Sequence, residues 1–147
     1  MQGGRQILLH GLVLVFVGLL WGLIVPHTPY PRLALTAHEQ FVFNGLLLIV
    51  MAALLLKFEH AAGRRSVAMM VVSAWLIWAM ALSEVANSWW GTNGLLSIAA
   101  VQAGAHGAVS WQEAVVKLAH IAAGFGLIIA WALLILGISR GEPKVVH

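Results

Sequence analysis

Four long apolar runs dominate the pattern along the chain, and none of them contains a charged residue. They cover residues 7–25, 40–56, 66–83 and 118–139. About 20 consecutive apolar residues cross the hydrocarbon core of a bilayer as an α-helix, and each of the four runs is of about that size. We therefore predict an all-α integral membrane protein, a four-helix bundle in a single domain, with transmembrane spans over residues 7–25, 36–56, 66–84 and 114–139.

The composition supports this prediction and excludes other classes of protein. Of the 147 residues, 61% are hydrophobic and only 9% are charged, whereas about 25% of the residues of a soluble domain are charged. The net charge is +3, but the basic residues lie between the apolar runs and form no cluster, so we expect no nucleic-acid partner. The chain has no cysteine, which leaves histidines and carboxylates as candidate metal ligands.

The distribution of basic residues predicts how the bundle is oriented. If there are four spans, the first residues, the connection around residues 57–65 and the last residues share one side of the bilayer. That side holds Arg5, Lys57, Arg64, Arg65, Arg140 and Lys144, and the other holds Arg32 and Lys117. Cytoplasmic loops carry the excess of Lys and Arg. We therefore predict a multi-pass protein of the inner (cytoplasmic) membrane with both termini in the cytoplasm.

The connection between the third and fourth spans is the longest. It is rich in Gly and Ala and contains Trp89, Trp90 and Trp111, which suit the interface between membrane and water. Residues 95–101 are apolar enough to turn back towards the membrane as a lid. Gln112 and Glu113 are expected near the start of the fourth helix.

His38 is the first candidate for chemistry. Thr36 and Glu39 form a capping-box pattern, which predicts the start of the second helix. That cap does not need His38, which would lie one turn inside the helix near the outer surface of the membrane. Two interpretations stay open. The residue could be an interfacial histidine bonded to a carbonyl or a lipid head group, or it could be a ligand to a metal or a haem iron.

Other polar residues within the apolar runs are also candidates. Asn44 follows His38 by about 9 Å along the helix axis, and its amide would bond to a neighbouring helix or hold a substrate oxygen. His120 is expected at the depth of His38, so one haem held by both histidines is possible. Glu84 would end the third span close to Asn87, either as a functional acid or as a solvated helix end.

Several motifs share their order and spacing with a known family. They are LLHG at 8–11, GLLWGL at 18–23, PRLALTAH at 31–38 with NG at 44–45, WG at 90–91, SIAA at 97–100 and QE at 112–113. The arrangement resembles hydroxylaminobenzene mutase over nearly the whole chain and, more distantly, styrene oxide isomerase. The resemblance implies a membrane-bound isomerase that acts on a small aromatic substrate without net oxidation or reduction.

The resemblance also implies a site. Styrene oxide isomerase is a trimer that holds haem b between subunits, with ferric iron acting as a Lewis acid on the epoxide oxygen. Its axial histidine matches His38, and an asparagine near its substrate matches Asn44. The mutase moves a hydroxyl group from nitrogen to the ring and yields an aminophenol. The resemblance thus implies haem b bound through His38, with Asn44 at the substrate, in a homotrimer.

The chain departs from the isomerase pattern in its third helix and first connection. An asparagine and a tyrosine of styrene oxide isomerase would fall near Ala79 and Ser83, so neither residue type is retained. Ser83, Glu84 or Asn87 could substitute for them. The connection between the first two spans is also shorter than in that enzyme, which favours a mutase.

Two other functions compete with the haem-dependent isomerase. The first is a small b-type cytochrome in which His38 and His120 both bind the iron. The second is a non-catalytic subunit of a larger membrane assembly. The sequence alone leaves both alternatives open, because a fold does not determine a function.

Overall fold

The computed structural model describes residues 2–141, and helices are the regular secondary structure of that range. The long helices are α1 (Gln2–Ile24), α2 (Pro31–Lys57), α3 (Arg64–Trp90) and α5 (Ser110–Ser139), with a 3₁₀ turn at Val25–His27 and a short helix α4 (Ser97–Ala103). All four long helices are long and apolar enough to cross a membrane. The predicted all-α bundle with four apolar helices is confirmed.

The second helix begins earlier than the capping-box pattern indicated. It starts at Pro31, and the Thr36 hydroxyl donates a hydrogen bond 3.3 Å long to the Arg32 carbonyl oxygen one turn back. The prediction that Thr36 and Glu39 cap this helix is therefore wrong. Proline has a fixed φ that suits the first helical position and has no N–H that needs a partner, so Pro31 starts the helix instead.

The other long helices also extend beyond the apolar runs. The third continues through Glu84 to Trp90 and ends at Gly91, whose φ of 68° is the left-handed conformation that favours glycine. The fourth apolar run belongs to α5, where the Val109 N–H donates to Gln112 Oε1 at 3.3 Å. This contact confirms the expected role of Gln112 at the helix start.

Helices α1 and α2 approach each other closely because glycines line their contact. A Cβ atom added to Gly45 would lie 2.9 Å from the Gly11 carbonyl oxygen and 2.7 Å from Val15 Cγ2. Small residues allow such close contact in membranes, where helices associate mainly through van der Waals packing. Helix α3 then packs against α2 on one side and against α5 on the other.

Helix α4 lies at the end of the bundle where α2 begins and α3 ends, within the segment expected to form a lid. Its Ala100 is buried against Leu33 of α2, whereas Ile98 and Val101 are 76% and 79% exposed. The Arg32 guanidinium Nε donates to Gln102 Oε1 at 2.8 Å. The short helix therefore rests on the start of α2.

The opposite end of the bundle gathers most of the basic residues. The Ala61 N–H donates to the Gly137 carbonyl oxygen at 2.8 Å, which joins the connection between α2 and α3 to the end of α5. Gly4 of α1 packs against Leu55 and Leu56 of α2 at the same end. Arg5, Lys57, Arg64, Arg65 and Arg140 thus share this end, as predicted, and Lys144 lies outside the described residues.

Candidate active site

His38 lies in α2, and a hydrogen bond to α1 fixes its ring. Its Nδ1 is 2.8 Å from the carbonyl oxygen of Gly18. Since a carbonyl oxygen can only accept, Nδ1 carries the proton of the neutral ring and donates it. The lone pair of the neutral imidazole is then on Nε2, which has no hydrogen-bond partner among residues 2–141. A backbone carbonyl that fixes the ring in this way is typical of metal-binding histidines.

The absence of side chains on one face of α1 makes room for this ring. A Cβ atom on Gly22 would lie 3.1 Å from both Cε1 and Nδ1 of His38, which is closer than an ordinary contact. A Cβ atom on Gly18 would lie 2.8 Å from Cβ of Phe41. Gly18 and Gly22 share one face of α1. The GLLWG segment at residues 18–22 therefore packs the two helices together and also holds the imidazole against α1.

Other histidines have different protonation patterns. Nδ1 of His10 accepts a hydrogen bond of 3.1 Å from Trp78 Nε1, so its neutral ring carries the proton on Nε2 and cannot ligate through it. His60 donates from Nε2 to the Leu55 carbonyl oxygen at 3.0 Å. Among the histidines with a described ring hydrogen bond, His38 and His120 keep the Nε2 lone pair.

Asn44 is buried and does not contact His38. Its Nδ2 donates to the Gln40 carbonyl oxygen at 2.8 Å and to Gln40 Oε1 at 2.7 Å. The expected bond to a neighbouring helix is therefore replaced by bonds within α2. A separation of six residues also rotates the two side chains by about 120° around a helix with 3.6 residues per turn. The amide oxygen of Asn44 makes no hydrogen bond in the described part of the chain, so it remains available.

A second polar centre lies between α3 and α5. Glu84 has no exposed surface, and its Oε1 is 3.2 Å from Nε2 of His120, which is 13% exposed. The interpretation of Glu84 as a solvated helix end is therefore wrong, because α3 continues to Trp90 and α5 covers the carboxyl group. The Asn87 amide lies beside the same carboxyl group.

The contacts of this centre require a proton between its two main members. His120 Nδ1 donates to the Val116 carbonyl oxygen at 2.8 Å, which leaves a lone pair on Nε2 facing the Glu84 oxygen. Two facing lone pairs repel, so either the carboxyl group or the imidazole Nε2 must hold a proton. Both Glu84 oxygens, His120 Nε2 and Asn87 Nδ2 lack a well-directed hydrogen bond within residues 2–141. The centre therefore has unused hydrogen-bonding capacity.

The remaining third-helix candidates have structural partners. The Ser83 hydroxyl donates to the Met80 carbonyl oxygen at 2.7 Å, so it bonds to its own helix. Asn87 Oδ1 accepts from the backbone N–H and the hydroxyl of Thr92, at 2.9 and 2.7 Å, and closes the end of α3. Of the three residues proposed as substitutes on α3, Glu84 alone lies against the imidazole of His120.

The two polar centres lie beside the same packed cluster of the bundle. Ala37, next to His38, belongs to a packed cluster with Trp21 and Ala34, and Val85, next to Glu84, packs against that cluster. His38 faces α1, whereas Glu84 faces α5. Residues next to the two centres therefore share one packed cluster, but the centres lie on different faces of the bundle.

Comparisons with known proteins identify the family of this chain. The family model of styrene oxide isomerase matches residues 4–139. Hydroxylaminobenzene mutase HabB of Ectopseudomonas oleovorans is 27% identical over 141 residues, which cover 95% of this chain and 82% of the relative. No solved structure matches. A non-catalytic subunit is not supported by these matches. The chain belongs to the styrene oxide isomerase family and is an intramolecular isomerase with membrane helices.

Proposed function

We propose that this protein binds haem b through His38 and rearranges a small aromatic substrate, either an arylhydroxylamine or an aryl epoxide. The observation that carries the proposal is the hydrogen bond between His38 Nδ1 and the Gly18 carbonyl oxygen. It turns the Nε2 lone pair away from α1 and fixes the ring, so His38 is the residue that would hold the iron. The residues present therefore fit the group.

Haem would supply a Lewis-acidic iron that draws electron density towards the substrate oxygen. The protein would supply an apolar surrounding: Leu35 and Val42 lie on the helix face of His38, three residues before it and four after it. Such a surrounding excludes water from a cationic intermediate. We infer that the amide oxygen of Asn44 orients the substrate. This oxygen makes no hydrogen bond among the described residues, whereas the amide nitrogen is bonded to Gln40.

We further propose that several copies of the chain assemble, as a trimer by family resemblance. The His38 ring is only half-buried in a single chain. The uncovered side of this ring would be available to a neighbouring copy of the chain, which would help to hold the group. Crosslinking in native membranes should capture trimers, and a purely monomeric protein would argue against this part of the proposal.

The absorbance spectrum of detergent-purified protein tests the haem. We expect a Soret band that is lost in His38→Ala and kept in His10→Ala, the matched control, because His10 carries its ring proton on Nε2. Addition of an arylhydroxylamine or an aryl epoxide should shift the band and give an isomeric product. A colourless protein that stays inactive with added haemin would refute the proposal.

The cytochrome alternative makes a different spectroscopic prediction. If His38 and His120 both bound the iron, His120→Ala would convert a low-spin spectrum to a high-spin one. Both ring nitrogens of His120 already face protein groups, the Val116 carbonyl and the Glu84 carboxyl. We therefore expect the spin state to be the same in His120→Ala and in the wild type.

We also propose that the basic end of the bundle, and with it both termini, faces the cytoplasm of a cell with an inner membrane. The chain has no cysteine, so single cysteines can be labelled without background. In intact cells, a membrane-impermeant maleimide should label Lys117→Cys and spare Arg65→Cys, since both positions are exposed at opposite ends. The reverse pattern would invert the orientation.

A further inference from the structure

The Glu84–His120 pair has no role in the site built around His38, yet it is costly to maintain. An ionisable group inside a membrane span is expensive, and such residues are functional more often than structural. A buried ion pair is also weak as a stabilising device, because apolar residues of similar volume stabilise a protein equally well or better. The fully buried Glu84 and the 13% exposed His120 therefore call for a chemical explanation.

The two candidate reactions differ in whether they need a proton carrier. Converting an arylhydroxylamine to an aminophenol breaks the N–O bond and forms a ring C–O bond. It also removes one proton from that ring carbon, whose C–H electron pair restores the aromatic ring, and adds one proton to nitrogen. Opening an aryl epoxide to an aldehyde instead moves hydride directly from one carbon to the next. The first reaction needs a group that accepts and returns a proton, and the second does not.

We propose that the Glu84–His120 pair is this proton carrier and that arylhydroxylamines are the substrate class. The pair already holds one proton between Oε1 and Nε2, and its second carboxyl oxygen has no well-directed partner. It can therefore accept or release a proton without a change in the fold. The inference rests on the proposed isomerase function and adds the substrate class and a second polar centre to it.

The geometry assigns different roles to the two members. The His120 ring keeps some exposed surface, but its Nε2 and both Glu84 oxygens are buried, so the ring must turn away from Glu84 to meet a substrate. Its Nδ1 bond to Val116 fixes which nitrogen faces Glu84. Glu84 has no exposed surface and acts through His120, which makes it a positioning residue that also stores the proton. The pair faces α5 and His38 faces α1, so a substrate would meet both only where a second copy of the chain packs against the first.

Glu84→Gln and His120→Gln test the proposal, because glutamine keeps the size and polarity of either side chain but does not carry a proton at neutral pH. Turnover of N-phenylhydroxylamine should fall about a hundredfold or more, the usual scale of general acid–base catalysis. Turnover of styrene oxide and the Soret band should stay at wild-type values. Glu39→Gln is the matched control, since Glu39 lies exposed on α2, and it should leave both activities unchanged.

Ring-deuterated N-phenylhydroxylamine adds a measurement that a structural role would not affect. In the variants, loss of the ring proton should become rate-limiting, so the deuterium isotope effect should rise from near one to well above one. Glu84→Asp, which retains a carboxyl group, should recover part of the rate.

Each other outcome has a defined meaning. Equal loss of both activities, or no loss of either, would overturn the proton-carrier role. A wild-type protein that isomerises styrene oxide but not the hydroxylamine would overturn this inference while leaving the isomerase proposal intact. A wild-type protein that converts neither substrate would refute the proposed function itself. If only the hydroxylamine is converted, the isotope effect alone decides, and an unchanged value would overturn the inference.

Discussion

Gly18 allows α1 and α2 to pack closely, and its carbonyl oxygen orients the imidazole of His38. We expect Gly18→Ala to disturb both the packing and the imidazole. The added Cβ would lie 2.8 Å from Cβ of Phe41, and an ordinary contact needs at least 3.4 Å. The helices must therefore separate locally by about 0.6 Å, the difference between these distances. Overpacking of this kind costs about 1–3 kcal/mol of stability.

The same shift weakens the hydrogen bond of His38. Its Nδ1 is 2.8 Å from the Gly18 carbonyl oxygen, so a separation of about 0.6 Å takes the bond to about 3.4 Å, beyond the usual range for N–H···O. Loss of such an orienting partner typically lowers metal affinity about 10–100-fold. We expect haemin titration of Gly18→Ala, followed by the Soret absorbance, to show a dissociation constant raised by that factor.

Two other glycines serve as controls for this prediction. Gly45→Ala disturbs the same helix pair away from His38, with its Cβ 2.7 Å from Val15 Cγ2, so it should lower the unfolding midpoint and leave haemin affinity unchanged. Gly124→Ala meets no atom within 4 Å and should stabilise α5 slightly, since alanine is the better helix former. Wild-type haemin affinity in Gly18→Ala would refute the assigned role of the Gly18 carbonyl.

Three further variants test contacts at the end of the bundle that carries α4. Trp21→Phe removes a buried hydrogen bond of 2.9 Å to a carbonyl of α2, and should lower stability by about 1 kcal/mol in thermal unfolding in detergent. Glu113→Gln leaves one acceptor oxygen where the carboxylate had two, so the Gly94 amide, 3.0 Å from Oε2, should exchange its hydrogen faster, and unchanged exchange would contradict this contact. Gly91→Ala forces a side chain into a left-handed backbone and against the Tyr30 ring, so it should lower the unfolding midpoint, by about 1–2 kcal/mol from the backbone alone.

The sequence predicts the architecture well because the bilayer imposes one simple requirement, a long apolar helix. Helix ends are harder to predict. The pattern of Thr36 and Glu39 satisfies the rule for a cap, but Pro31 lies earlier and starts the helix first. Glu84 shows the same difficulty at the end of α3. A carboxyl group in the sequence indicates the end of a span, and the sequence does not show that α5 covers this one.

The sites are only partly predictable. Residue type and resemblance suffice to select His38, but its partner is a backbone carbonyl 20 residues away, and a backbone atom leaves no mark in the sequence. Glu84 and His120 are recognisable as unusual residues in apolar runs, whereas their contact is not. Each long helix is apolar on most of its surface, so hydrophobicity does not show which face meets which neighbour. The contact between Glu84 and His120 depends on how α3 and α5 are rotated about their own axes relative to each other.

The short helix α4 has a consequence for how the protein responds to bilayer thickness. Ile98 and Val101 point away from the bundle while Ala100 anchors the helix to α2. A helix with an apolar outer side floats at the boundary between head groups and acyl chains. We therefore expect the end that carries α4 to keep its depth in thin and thick bilayers, with mismatch absorbed at the basic end. Depth-dependent quenching of a fluorophore at position 98 should be constant across lipids of different chain length, and a quenching depth that follows the chain length would contradict this expectation.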